Sequence, residues 1–132
     1  MSTLPPLLKP HTTPLVGVEW LVEALDCDPN RLRNLDAVRT VCERALSELG
    51  LTAIGSGHWH PFPFPGGVTG LYLLTESHLA CHTYPEHGLA TFNLYCCGPR
   101  DRWPWEERLA EGLGAKRVLM RSLPRGETEA RP

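Results

Sequence analysis

Apolar and polar residues alternate over 17–25, where Val18, Trp20, Val22 and Ala24 share one face. A period of two predicts a half-buried β-strand. Residues 26–33 are rich in turn formers. From there the apolar spacing changes to threes and fours, through Leu35, Val38, Val41, Cys42, Ala45, Leu46 and Leu49. That stripe predicts a helix over 35–49. Asn34 stands at its N-cap, Asp36 faces the positive end of its dipole, and Gly50 supplies the left-handed stop.

Further strands are predicted over 51–59, 68–74, 89–97 and 115–123. Between the first two lies His60-Pro61-Phe62-Pro63-Phe64-Pro65-Gly66-Gly67, whose prolines remove ladder donors and end any sheet interior. Residues 103–112 read as a short helix, with Pro104 in its first turn and Glu106 and Glu107 behind it. The order is strand, helix, strand, strand, strand, helix, strand. This is an α+β fold: a two-layer sandwich with a mainly antiparallel sheet and helices on one face. Residues 1–14 read as a flexible arm, 15–123 as a single domain and 124–132 as a polar tail.

Composition narrows the function classes. The 132 residues carry 13 Lys+Arg against 15 Asp+Glu, a near-neutral balance that argues against nucleic acid as a partner. No apolar run approaches the roughly 20 residues of a membrane span. Met1-Ser2-Thr3-Leu4-Pro5-Pro6 lacks the basic and apolar regions of a secretory signal, and five cysteines are an odd count without C-x-x-C spacing. A reducing, cytoplasmic setting is expected. Cys42 lies on the helix stripe and is expected in the core, whereas Cys96 and Cys97 must point to opposite faces of a strand.

Chemistry-bearing residues concentrate between 58 and 97, which hold five of the six histidines and three of the five cysteines. The run Thr75-Glu76-Ser77-His78-Leu79-Ala80-Cys81-His82-Thr83-Tyr84-Pro85-Glu86 is too polar for an ordinary core strand. His58-x-His60 and His78-x-x-x-His82 suggest metal ligation, but no third or fourth ligand follows at a metal-site spacing, and no metal is expected. A Ser–His hydrolase would need the G-x-S-x-G elbow, which is missing.

Gly67-Val68-Thr69-Gly70, Glu76-Ser77-His78, His82-Thr83-Tyr84-Pro85-Glu86 and Cys97-Gly98 together closely resemble the self-cleaving, pyruvoyl-dependent S-adenosylmethionine decarboxylase proenzymes of bacteria. The resemblance runs from about residue 17 to 123 and is strongest over 67–98. It implies that Ser77 attacks the carbonyl of Glu76, splitting the chain there and leaving a pyruvoyl group derived from Ser77. Thr69 and His82 would assist that step, since a serine hydroxyl is a weak nucleophile. The pyruvoyl carbonyl would serve as electron sink for decarboxylation. Cys97 would return the proton, and Glu86 would hold the substrate's ribose. Ser77 and His82 are five residues apart and would face opposite sides of a regular strand, so their cooperation calls for a bend or bulge between them.

The resemblance also implies a homodimer of cleaved protomers and a small-molecule substrate serving spermidine synthesis. Three departures touch substrate recognition. Tyr84 stands where the family has Trp, Asn93 where it has Asp, and Pro63 where it has a stacking Phe. Tyr84, Phe62 and Phe64 are the aromatic candidates for the substrate. Two other readings stay open. One is the same chemistry on arginine or ornithine. The other is an uncleaved, non-catalytic homologue acting as a binding or regulatory subunit.

Overall fold

A computed structural model describes residues 13–97 and 102–128. Six strands form one antiparallel sheet: β1 (Thr13–Leu25), β2 (His58–Pro61), β3 (Val68–Leu73), β4 (His78–Tyr84), β5 (Leu89–Cys97) and β6 (Arg117–Thr128), in the spatial order β2-β3-β4-β5-β1-β6. Three helices cover one face: α1 (Pro29–Leu32), α2 (Leu35–Leu49) and α3 (Trp105–Leu113). The expected α+β sandwich is what forms, with an added short helix and an added strand.

The core lies between these layers. Alternation sends Val22, Ala24, Val68, Tyr72, Leu79, Cys81, Ala90, Phe92, Leu94, Cys96, Val118 and Met120 toward the helices. There they meet Leu32, Val38, Val41, Cys42, Ala45, Trp105, Leu109 and Leu113. Each large apolar side chain so buried contributes about 1.5–3 kcal/mol against exposure. The Asn34 side chain accepts from Ala37 N at 3.2 Å, capping α2, and Gly50 closes it at φ 68°. Thr83 Oγ1 donates to Leu32 O at 2.6 Å and accepts from Val68 N at 2.9 Å, tying α1 to the sheet. Trp59 lies across Gly70, where an added Cβ would come within 2.5 Å of the indole.

Several elements differ from the sequence expectation. β4 falls in the polar run 75–86: its inward residues Leu79, Cys81 and Thr83 are buried, while the polarity belongs to the alternate positions. Within the strand expected over 51–59, only an isolated bridge between Ala53 and Leu74 and the start of β2 are paired. Gly55 and Gly57, at φ 83° and 84°, turn the chain out of the sheet between them. Pro104 caps α3 from outside instead of entering its first turn. β6 runs through Pro124 to Thr128, pairing with β1 as far as Thr13, so 124–128 are strand and not tail. Pro124 is tolerated because β6 is an edge strand with a free side. Residues 1–12 of the expected arm lie outside the described residues.

Candidate active site

The face of the sheet away from the helices carries the polar positions. Across its middle runs one row of cross-strand partners, His60, Thr69, His82, Thr91 and Glu23, in register from β2 to β1. Beside it opens a cavity of about 370 Å³, lined by Leu21, Glu23, His82, Thr91, Asn93 and Arg121 among others.

One end of β4 holds Ser77, in the turn that joins β3 to β4. Leu74 N donates to Ser77 O at 3.0 Å, while Thr75 N donates to Thr52 O at 3.1 Å and Ile54 N to Leu73 O at 2.8 Å. The turn is thus pinned both internally and by the preceding loop. Ser77 is buried, 9% exposed. Cys97, at the end of β5, donates its thiol to Glu76 Oε2 at 3.0 Å. A sulfur therefore stands against the residue that precedes Ser77. Cys96 is buried and Cys97 half-buried, on opposite faces as alternation requires.

The other end of β4 holds His82, exposed on the open face. Its Nδ1 is hydrogen-bonded to Thr69 Oγ1 at 3.0 Å, on the facing strand. Tyr84 and Glu86 follow, exposed, at the strand end and in a single 3-10 turn, Pro85–His87. The expected bend or bulge between Ser77 and His82 does not form, because β4 keeps unbroken register with both β3 and β5. Five residues of strand at about 3.3 Å each separate the two by about 17 Å. His82 does not reach Ser77 of its own chain.

The two candidate phenylalanines also part company. Phe62 packs edge-to-face on His60, with ring centroids 4.6 Å apart, at the margin of the open face. Phe64, 81% exposed, lies under the Arg33 guanidinium at 4.9 Å, on the side of α1.

The composition and motif reading passed over a charged cluster beside the Ser77 end. Glu19 accepts from Asn93 Nδ2 at 2.8 Å and from Arg125 Nη1 at 2.5 Å. Burial alone would raise the Glu19 pKa, but the hydrogen bonds from Asn93 and Arg125 outweigh it and hold the carboxyl below its ordinary value. Arg125 also lies over the Tyr95 ring at 5.8 Å, and Tyr95 packs against His78 at 5.7 Å. The signal was present in β1, where Glu19 and Glu23 alternate with the apolar face. On the covered side, Cys42 and Cys81 approach at 3.7 Å between sulfurs. That contact, with burial, pushes the Cys42 thiol well above its ordinary range and suits it to packing. Among the described residues no group of three or more His, Cys, Asp or Glu is placed to hold a metal ion. No helix among them is long and apolar enough to cross a membrane.

Comparison with known proteins gives a consistent picture. The model of the S-adenosylmethionine decarboxylase family matches residues 18–126. The S-adenosylmethionine decarboxylase proenzyme of Aquifex aeolicus is 35% identical over 115 residues, 86% of this chain and 84% of that protein. That of Thermotoga petrophila is 37% identical over 113 residues, covering 84% and 85%. That of Bacillus cytotoxicus is 35% identical over 116 residues, covering 87% and 88%. The crystal structure of the adenosylmethionine decarboxylase from Aquifex aeolicus superposes with a TM-score of 0.73 at 30% identity, over 91% of this chain and 98% of that one.

Proposed function

The chain belongs to the S-adenosylmethionine decarboxylase family, and we propose that it cleaves itself between Glu76 and Ser77 and then decarboxylates S-adenosylmethionine, supplying the aminopropyl donor for spermidine. The observation that carries this reading is the Cys97 thiol 3.0 Å from the Glu76 carboxylate, beside the buried Ser77 turn.

In the cleavage step the Ser77 hydroxyl attacks the Glu76 carbonyl carbon, and the amide becomes an ester through Ser77 Oγ. Loss of the Ser77 Cα proton then expels Glu76 as a carboxylate, and hydrolysis at residue 77 releases ammonia and leaves a pyruvoyl group. The surroundings fit that group. Ser77 is screened from bulk water, its turn is fixed by backbone bonds, and a proton-bearing sulfur lies next to it. Once formed, the pyruvoyl group supplies the carbonyl that takes up the substrate amine and the electron pair released with carbon dioxide. Cys97 Sγ returns a proton to the substrate carbon, the usual work of a positioned acid.

Thr69 and His82 act on this bond from a second copy of the chain. Two open sheet faces laid against each other bring the Thr69–His82 end of one protomer to the Ser77–Cys97 end of its partner. This reading is supported by the gap of about 17 Å along one chain and by Leu71 and Leu73, apolar and exposed on the same face. Facing sheets also give isologous twofold contacts, the commonest form of homodimer. Phe62, Tyr84 and Glu86 lie at the His82 end and receive the nucleoside, with the aromatic faces toward the base and the carboxylate toward the ribose hydroxyls. The chain works in the cytoplasm, where its substrate is made and used.

Intact mass under denaturing conditions tests the cleavage. Fragments 1–76 and 77–132, the second with a blocked N-terminus, are expected, and a single uncleaved mass contradicts the reading. Carbon dioxide release from S-adenosylmethionine, arginine and ornithine tests the substrate. Turnover of arginine or ornithine alone removes S-adenosylmethionine from the account.

A further inference from the structure

The loop between β2 and β3 is closed at its base. Phe62 N donates to Gly67 O at 2.9 Å, and Gly66 N donates to Pro63 O at 2.7 Å. Gly66 permits that closure, since a Cβ there would stand 2.6 Å from Phe62 Cβ. The loop presents one phenylalanine to each side. Phe62 leans on His60, which pairs across the strands with Thr69, the partner of His82. Phe64 instead lies under Arg33 at 4.9 Å.

Phe62 is 51% and Phe64 81% exposed, so apolar burial contributes little to the placement of this loop. Arg33 is itself held in place. It caps α1, and its Nη1 donates to Asn30 Oδ1 at 2.6 Å. Its Nε is buried and makes no hydrogen bond among the described residues, so Nη1 alone is committed to Asn30 while the guanidinium plane lies over the ring. The guanidinium plane is suited to such a contact, because it is weakly hydrated and stacks on aromatic faces.

We infer that Arg33 and Phe64 form a latch outside the active site that fixes the tilt of the loop, so that Phe62 is held ready for the flat base of the substrate. This rests on the proposed decarboxylase reading for its ligand, though not for the latch itself. Arg33 is a positioning residue, acting through Phe64 and the loop closure. With the latch broken, the fraction of molecules in the binding-competent state falls and apparent affinity falls with it. The chemical step at Ser77 and Cys97 is untouched.

Steady-state kinetics on the cleaved enzyme read the latch. Arg33→Met and Phe64→Ala are each expected to raise KM for S-adenosylmethionine about two- to fivefold, the range of an exposed cation–π contact, with kcat unchanged. The double variant is expected to match either single one, and Arg33→Lys to recover most of the loss. In parallel, hydrogen exchange at the Phe62 and Gly66 amides is expected to quicken in Arg33→Met by a similar factor. Unchanged KM and exchange in Arg33→Met, or a double variant whose loss is the product of the two, overturns the latch. A wild type that turns over no S-adenosylmethionine refutes the decarboxylase reading instead. The exchange measurement then decides the latch alone: quickening supports it and no change overturns it.

Discussion

The two ends of β4 are built differently. At the Ser77 end a tight turn is clamped by backbone hydrogen bonds, the serine is buried, and a cysteine from β5 closes on the preceding residue at 3.0 Å. At the His82 end an exposed imidazole in mid-strand is hydrogen-bonded to Thr69 at 3.0 Å. The first is a finished, enclosed environment. The second is a pair of polar groups presented outward on an open sheet. A regular strand holds them about 17 Å apart, so the site proposed above is not brought together within one chain. The difference is what the proposed pairing of two copies, open face against open face, accounts for.

The largest effect is expected at the enclosed end. Ser77→Ala removes the nucleophile, so the chain stays whole by intact mass and decarboxylation is abolished. Cys97→Ala leaves a cleavable bond but no thiol to return the proton. Carbon dioxide release is expected to fall about 10²- to 10⁴-fold, the usual share of a general acid. A rate within a few-fold of wild type rejects that role.

The covered face sharpens the contrast, because its residues serve packing and not chemistry. Leu109, fully buried in α3, is expected to cost about 2–5 kcal/mol on truncation in Leu109→Ala, read by urea unfolding, with cleavage at Ser77 retained. The smallest effect belongs to Glu19. Its folded pKa is lowered, so its contribution is fully present above the ordinary value of 4.5 and is lost as pH falls below it. Between about pH 5 and pH 3 the urea midpoint of wild type is expected to fall more steeply than that of Glu19→Gln. Parallel curves reject a stabilising role for the Glu19 carboxylate.

Much of this was legible in the sequence, and the limits have physical causes. The α2 stripe from Leu35 to Leu49, with Asn34 and Gly50 at its ends, could be read residue by residue because cap and period agree. β4 was not read as a strand, since His78 and His82 masked the alternation of Leu79, Cys81 and Thr83. Glycine at 55 and 57 cut short a strand that apolar residues alone suggested. The Glu-Ser-His and Cys-Gly elements marked one end of the proposed site, and the register of β4 and β5 does bring Cys97 to Glu76. The distance from Ser77 to His82 was not legible. Spacing in sequence does not say whether a strand bends, and the unbroken ladder on both sides of β4 shows that it does not. Nor could the pattern tell Phe62 from Phe64, because only the fold puts Arg33 over the second of them.

Complementation between two inactive variants tests most directly whether the two ends work across copies. Ser77→Ala and His82→Ala, each inactive alone, are co-expressed and carbon dioxide release from S-adenosylmethionine is measured. Random pairing makes half of the dimers mixed, and each mixed dimer carries one intact site of two. Activity is therefore expected to return to about one quarter of wild type. No recovery, with mixed dimers demonstrated by mass, would show that Ser77 and His82 must act within one chain and would contradict the account.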